Sequence, residues 1–371
     1  MNKSVKNAGN ILLHISRYVF GAVFVFSGIV KAIDPLGFTY KIEDYLRTFG
    51  GFFESFADYA FFLAIALSTL ELLIGLNMIL KIHVNITNAL ALLFMIVMTP
   101  LTLYIAVKNP VTDCGCFGDA LIISNWATFS KNVILLTILI LQLTFHSLIK
   151  STFRVKTQNF IGLSFILFGI STSVFSYMHL PIIDFLPYKV GVNIPKAMEI
   201  PDNAPKDVYK TTFIYEREGE QKEFTLENYP KNDSTWIFVN QNSVLLKQGY
   251  RAPIHDFSIM NGQFDDITKE VLSYKGKTNL LIVYDVETAS VRGAKKAEII
   301  YKQSLIKGEK FYALTGSSDE EVKKFIHKTA VSFPFWKTDP TTLKTIIRAN
   351  PGLVKIENGT IIKKMNWRDF E

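Results

Sequence analysis

Apolar positions fill the first half of the chain in runs too long for an ordinary soluble helix, whereas the second half alternates in short runs. Five stretches of about 20 mainly apolar residues, the length that crosses a ~30 Å hydrocarbon core, fall at Ile11–Ile33, Ala57–Leu80, Val84–Val107, Trp126–Ile149 and Gln158–Leu180. The third is uncharged from Ile82 to Val107, and Pro100 inside it is expected to kink the helix, because neighbouring helices can satisfy the freed backbone groups. The first run leads straight into further spans, so it reads as an uncleaved helix rather than a secretory signal peptide. Four spans plus one is the expected grouping.

From about Pro187 the pattern shortens. Thr211–Glu216, Lys222–Leu226 and Thr235–Val239 predict strands separated by turn-rich pieces. Beyond Ala252 the order becomes strand Asn279–Tyr284, helix Ala294–Leu305, strand Lys310–Leu314 and helix Asp319–Thr329, the last opened by Ser318 as N-cap. Gly352–Ile356 and Thr360–Met365 complete it as a hairpin about Asn358-Gly359. The expected division is a four-helix transmembrane domain over 1–156, a fifth span over 157–186, a small β-rich segment over 187–250 and an α/β domain over 251–371.

Charge sharpens this picture. The first 187 residues carry 21 charged side chains and the remaining 184 carry 52. The net charge of +7 is spread over both halves without the Lys/Arg stripe that neutralises phosphates, which excludes nucleic acid as a partner and leaves lipid as that of the first half. Lys3 and Lys6, Lys81, and Lys150, Arg154 and Lys156 occupy short loops at alternate span ends, which should face the cytoplasm. The loops Asp34–Phe56 and Lys108–Asn125, and everything after span five, then face outward. In a bacterium this is a multi-pass inner-membrane protein with a cytoplasmic N-terminus and a periplasmic C-terminal domain, on the side where a dithiol can cycle.

Cys114 and Cys116 are the only cysteines, in Asp113-Cys114-Gly115-Cys116-Phe117-Gly118-Asp119. Two thiols separated by one glycine can close a small strained ring, a property suited to thiol exchange. An inert pair or a local staple is the competing reading. No metal site is expected, since two cysteines and scattered aspartates do not supply three or four ligands. Arg17 and Glu71 lie inside spans, where ionisable groups are costly and face a partner or a cavity. Counting ~1.5 Å per residue from the cytoplasmic ends puts them at similar depths and predicts an Arg17–Glu71 pair. Lys31 either snorkels to the interface or holds a thiolate or head group near the dithiol loop. Asp34, Asp113 and Asp119 flank that loop as its candidate supports.

Arg17 with Phe20-Gly21, then Ser27-Gly28 and Lys31 ahead of Asp34-Pro35, Glu71 with Gly75, and Cys-Gly-Cys-Phe-Gly before span four resemble the DoxX/MauE family of four-helix membrane proteins over residues 11–150. That resemblance implies thiol/disulfide or quinone-linked redox chemistry, the MauE side being tied to disulfide maturation of methylamine dehydrogenase. It would make Cys114 and Cys116 the redox pair, and a quinone is the one cofactor it suggests. The second half is similar to thioredoxin-like domains, with Ala252-Pro253-Ile254-His255-Asp256-Phe257-Ser258 as the first strand and Pro351 of Asn350-Pro351-Gly352 as the candidate cis-proline. Its redox position reads Asp285-Val286-Glu287-Thr288-Ala289-Ser290-Val291 without a cysteine. Because the thiolate is the nucleophile, this domain cannot exchange thiols by itself. The expectation is a membrane redox component whose soluble domain docks a periplasmic or envelope protein. The alternative is a non-catalytic scaffold that presents a degenerate thioredoxin-like domain to an envelope complex.

Overall fold

A computed structural model describes residues 3–111, 114–145, 148–231, 233–247 and 249–371, with side chains from residue 11 onward. The membrane half consists of α1 (Lys3–Ile33), α2 (Pro35–Phe49), α3 (Ala60–Leu80), α4 (Val84–Lys108), α5 (Asn125–Thr144) and α6 (Val155–Met178). Five of these are long and apolar enough to cross a membrane, which makes the chain a multi-pass membrane protein. The fourth and fifth spans, α5 and α6, begin and end a few residues before the stretches expected from hydropathy. Pro100 lies inside α4, whose helical assignment continues from Val84 to Lys108.

The sixth helix, α2, corrects the expectation of a plain loop over Asp34–Phe56. Asp34 caps it by accepting from the Gly37 N–H at 2.9 Å, and Pro35 at its first position needs no N–H partner. It is too short and too charged to span a membrane, so a hydropathy window passes over it. Its apolar side, with Ile42 buried and Phe38 and Leu46 half-buried, packs on Ala60 and Ala64 of α3.

Glycines bring α1 and α3 into close approach. A Cβ on Gly28 would lie 2.5 Å from the Leu72 backbone nitrogen, and one on Gly75 would lie 2.6 Å from that of Val25. Small residues let α1 and α3 touch backbone to backbone, as membrane helices do where lipid offers no hydrophobic drive for association. The fifth span is no mere tether, because Gly169 of α6 rests on the Thr69 side chain of α3.

The second half begins with α7 (Ile194–Met198), followed by an antiparallel sheet of β1 (Val208–Arg217), β2 (Glu220–Thr225) and β3 (Ile237–Lys247) in the order β2-β1-β3. Then come α8 (Thr268–Ser273), β4 (Lys277–Ile282), α9 (Val291–Lys307), β5 (Lys310–Thr315), α10 (Asp319–Thr329), β6 (Phe335–Lys337), α11 (Pro340–Ile346), β7 (Gly352–Glu357) and β8 (Thr360–Asn366). These strands form a separate five-stranded sheet, β6-β5-β4-β7-β8, in which β4, β5 and β6 are parallel and β7 and β8 antiparallel. Ser318 and Glu321 form a reciprocal capping box on α10, and Asn358 and Gly359, both at positive φ, turn the final hairpin.

The segment expected as one β-rich stretch over 187–250 divides in two. Tyr188 and Ile194 are buried in the core against one face of the five-stranded sheet, so residues before β1 belong to that domain, while the three strands stand apart from it. The domain meets the bundle at the end where α1 stops. His179 Nδ1 is 2.6 Å from Asp369 Oδ1, Lys364 Nζ is 2.5 Å from Asp184 Oδ2, and the Tyr40 and Tyr284 hydroxyls are 3.2 Å apart.

Candidate functional site

Cys114 and Cys116 occupy the connection from α4 to α5, at the bundle end that carries the soluble domain. Gly115 between them adopts φ +64°, a left-handed conformation that glycine accepts without a Cβ penalty. Both cysteines are free thiols with Sγ atoms 3.3 Å apart, and they are only 6% and 7% exposed. The cover is α2. Lys41 lies across Gly115, where a Cβ would come 3.1 Å from its Cγ, and the Tyr45 hydroxyl donates to the Cys114 carbonyl at 2.7 Å.

Beneath the thiols lies an ion pair. Lys31 Nζ is 2.7 and 3.0 Å from the two Glu71 oxygens, with both residues 3% exposed. The Ser27 hydroxyl stands between two acceptors, Glu71 Oε2 at 2.6 Å and the Cys116 carbonyl at 2.7 Å. One hydroxyl hydrogen therefore joins the buried carboxylate to the backbone of the dithiol loop. Lys131 of α5 adds a second ammonium, 4.5 Å from the Phe117 ring.

This arrangement separates the two thiols electrostatically. Donation from the Cys114 S–H, opposed by burial and aided by the Lys131 and Lys31 charges, lowers the Cys116 pKa to about 6. The same hydrogen bond, together with burial, pushes Cys114 well up. The direction favours Cys116 over Cys114 for the thiolate form of the pair.

The expected Arg17–Glu71 pair does not form. Arg17 Nη1 donates to the carbonyls of Met78 and Ile79, at 2.5 and 2.7 Å, near the C-terminal end of α3, where a cation is favoured. Depth counting failed because the glycine contacts set the register. With Gly28 against Leu72, the residue one turn further along α1 is Lys31, and it meets Glu71.

Asp34 and Asp119 are brought together by a residue that sequence reasoning missed. Arg348 of the soluble domain lies 2.9 Å from Asp34 Oδ2 and 2.7 Å from Asp119 Oδ2, and it also donates to the Lys344 carbonyl. Burial opposes its charge, but the two carboxylates outweigh it and hold the guanidinium pKa above its ordinary value. Asp113 lies outside the described residues. The Asn350–Pro351 peptide bond is cis, and the proline ring packs where a Cβ on Gly293 of α9 would fall. Of the other residues missed, Lys131 was legible as a lone charge in an apolar run and Ser27 as part of the Ser27-Gly28 pair. Nothing local marks Arg348, Tyr40 or Tyr284.

Besides a void of about 10 Å³ against Lys31, Lys41 and Gly115, two cavities border the site. One of about 20 Å³, lined by Ser27, Lys31, Glu71, Cys116 and Lys131, has room for a water molecule and not for a quinone ring. The other, about 690 Å³, separates the outer face of α2 from the soluble domain.

No curated protein and no solved structure matches the chain. A family model described as a domain of unknown function, DUF8463, matches residues 209–248, which coincide with the three-stranded sheet. The Lys31–Glu71 pair, Ser27 and the dithiol all fall within residues 9–145, the part of the chain that matches the family model of methylamine utilisation protein MauE.

Proposed function

We propose that Cys114 and Cys116 are a redox pair that exchanges two electrons with the cysteines of a partner protein on the periplasmic side of a bacterial inner membrane. The observation that carries this is the pair of free sulfurs at 3.3 Å with two lysines disposed around Cys116. In the reducing direction, the Cys116 thiolate attacks one sulfur of a partner disulfide, and the other leaves as a thiolate and takes a proton. Cys114 then gives up its proton and attacks the Cys116 sulfur, releasing the second partner thiol. The partner gains two electrons and two protons, and this chain ends with a Cys114–Cys116 disulfide; the reverse sequence oxidises a partner dithiol. The Lys31–Glu71 pair sets the charge beneath the thiolate. The water-sized cavity there gives a quinone no seat next to the sulfurs.

The soluble domain reads as thioredoxin-like, which is supported by the order β5-β4-β7-β8, the parallel β4–β5 pair and the antiparallel hairpin that follows the cis-proline. The face where such a domain would carry its cysteines, at Asp285–Ser290 and Asn350-Pro351, borders the large cavity and turns toward the bundle. Its first docking partner is therefore α2 of the same chain. The positive loop charges support periplasmic exposure of this end, and methylamine utilisation, the role in the family's printed description, is one setting for such exchange.

The burial of both thiols beneath α2 favours a second reading, a membrane scaffold whose cysteines are structural. Alkylation of Cys114 and Cys116 in membranes, before and after reduction, separates the two. A redox pair shows a reducible fraction that changes with the envelope's thiol balance. A pair that stays fully reduced throughout, with every phenotype unchanged when both are replaced by serine, would overturn the exchange reading.

A further inference from the structure

The 690 Å³ cavity between α2 and the soluble domain has the volume of a small-molecule site and is used by neither thiol. Its basic groups are unusual in their partners. Lys344 Nζ lies 4.6 Å from the Tyr40 ring centre and 6.0 Å from that of Tyr284, and the Arg368 guanidinium lies 4.4 Å from the Trp367 ring and 5.1 Å from that of Tyr177. Among the described residues, neither these two nor Arg47 makes an ion pair with a carboxylate, so ring faces hold the cations in place without neutralising them.

Two acids share the cavity. Both oxygens of Asp285 are occupied within its own turn, accepting from the Glu287 N–H and the Thr288 hydroxyl at 2.9 Å each. Glu43 faces Lys344 and Arg47, yet burial raises its pKa and weakens its hold on them. Three cations against two acids leave the pocket with an excess of positive charge for an external anion.

Position identifies the kind of anion. Phe61 of α3 and Tyr177 of α6 line the cavity where both spans end. The same end exposes Tyr59 beside the apolar Phe52, Phe53 and Phe62, and tyrosine at the end of an apolar span marks the membrane–water boundary. A pocket at that level, basic within and lined by residues at the ends of two spans, suits a charged group carried on an acyl chain.

We propose that the cavity bounded by Arg47, Lys344 and Arg368 binds the phosphate headgroup of an anionic phospholipid. This site is independent of the thiol chemistry, and its test reads lipid retention rather than activity. The full-length chain is placed in nanodiscs of equal phosphatidylcholine and phosphatidylglycerol, and the lipid retained on release is counted by native mass spectrometry. The wild type should retain phosphatidylglycerol about tenfold over phosphatidylcholine, and Lys344→Gln or Arg47→Gln should each lower that preference about fivefold. Lys344→Arg should keep it, which separates charge from misfolding, and Lys323→Gln on the exposed side of α10 should leave it unchanged. Binding of glycerol phosphate in phosphatidylcholine discs, lost in Lys344→Gln, would support the phosphate site and assign it to a soluble anion. Equal retention of both lipids with no glycerol phosphate bound, or an unchanged preference in Lys344→Gln and Arg47→Gln, would overturn it.

Discussion

Arg348 and Asp34 stand 314 residues apart along the chain, yet the guanidinium Nη2 of one lies 2.9 Å from the carboxylate Oδ2 of the other. Asp34 also caps α2, the helix that covers the dithiol, and the same guanidinium nitrogen reaches Asp119, three residues beyond Cys116. One side chain of the soluble domain therefore grips both the lid and the loop beneath it.

Removing that grip should expose the thiols. Arg348→Ala takes from Asp34 and Asp119 their shared cation, a loss of about 3–5 kcal/mol for breaking a buried pair. Alkylation of Cys116 in membranes should accelerate by roughly tenfold, the factor that about 1.4 kcal/mol of this loss supplies if it loosens α2. Arg348→Lys should fall between, because a point charge does not reproduce the forked contact. Equal rates in all three proteins would show that the soluble domain does not control access.

The pH dependence of alkylation tests which thiol is the nucleophile. A folded-state pKa lowered to about 6 means that the Cys116 thiolate fraction rises through that pH and is nearly complete at neutrality. The rate should therefore level off below pH 7, whereas an ordinary thiol is still gaining through ~8.5. Cys114→Ala removes the S–H donor, so the inflection should move upward. In Cys116→Ala, burial still disfavours the Cys114 thiolate, and reaction at neutral pH should be slow. An inflection near the ordinary thiol value in the wild type would remove the basis for assigning Cys116 as nucleophile.

The Lys31–Glu71 pair makes a separate claim about stability. Lys31→Met leaves a carboxylate 3% exposed without its cation and should cost about 3–5 kcal/mol. Lys31→Met with Glu71→Leu should recover most of it, because an apolar pair avoids the desolvation of both ions. Thermal unfolding in detergent reads the cycle. A double variant as unstable as Lys31→Met alone would mean that Glu71 is held mainly by Ser27.

Five spans, their hairpin order and the strand–helix sequence of the second half were legible because each rests on local periodicity. The dithiol, Lys31 and Glu71 were also visible, as thiols one residue apart and as charges in apolar runs. Their pairing was not. Which charge meets which depends on where α1 and α3 touch, and Gly28 and Gly75 decide that through a contact between distant segments. Arg348 was invisible for the same reason. Its two carboxylates belong to the membrane half, and nothing in Ile346-Ile347-Arg348-Ala349 announces them. The α2 helix escaped because a 15-residue amphipathic segment beside a membrane gives neither a span signal nor a soluble-domain pattern.

The glycine crossing offers the most discriminating test, because it links packing to the site. A Cβ on Gly28 would meet Leu72 N at 2.5 Å, Ser68 O at 2.8 Å and Leu72 Cα at 2.9 Å, all backbone atoms that cannot swing aside as a side-chain tip would. Gly28→Ala must therefore push α1 and α3 apart, at about 1–3 kcal/mol for overpacking. Ser27 and Lys31 flank this position, so their bonds to Glu71 should lengthen together, and the Cys116 inflection should move with them. Gly162→Ala on α6 is the matched control. A Cβ there meets nothing within 4 Å, so the change should be neutral or stabilising by about 0.5–1 kcal/mol from helix propensity. Thermal unfolding and the alkylation profile of both variants decide the matter. If Gly28→Ala behaves like Gly162→Ala, the α1–α3 contact does not position the ion pair beneath the dithiol.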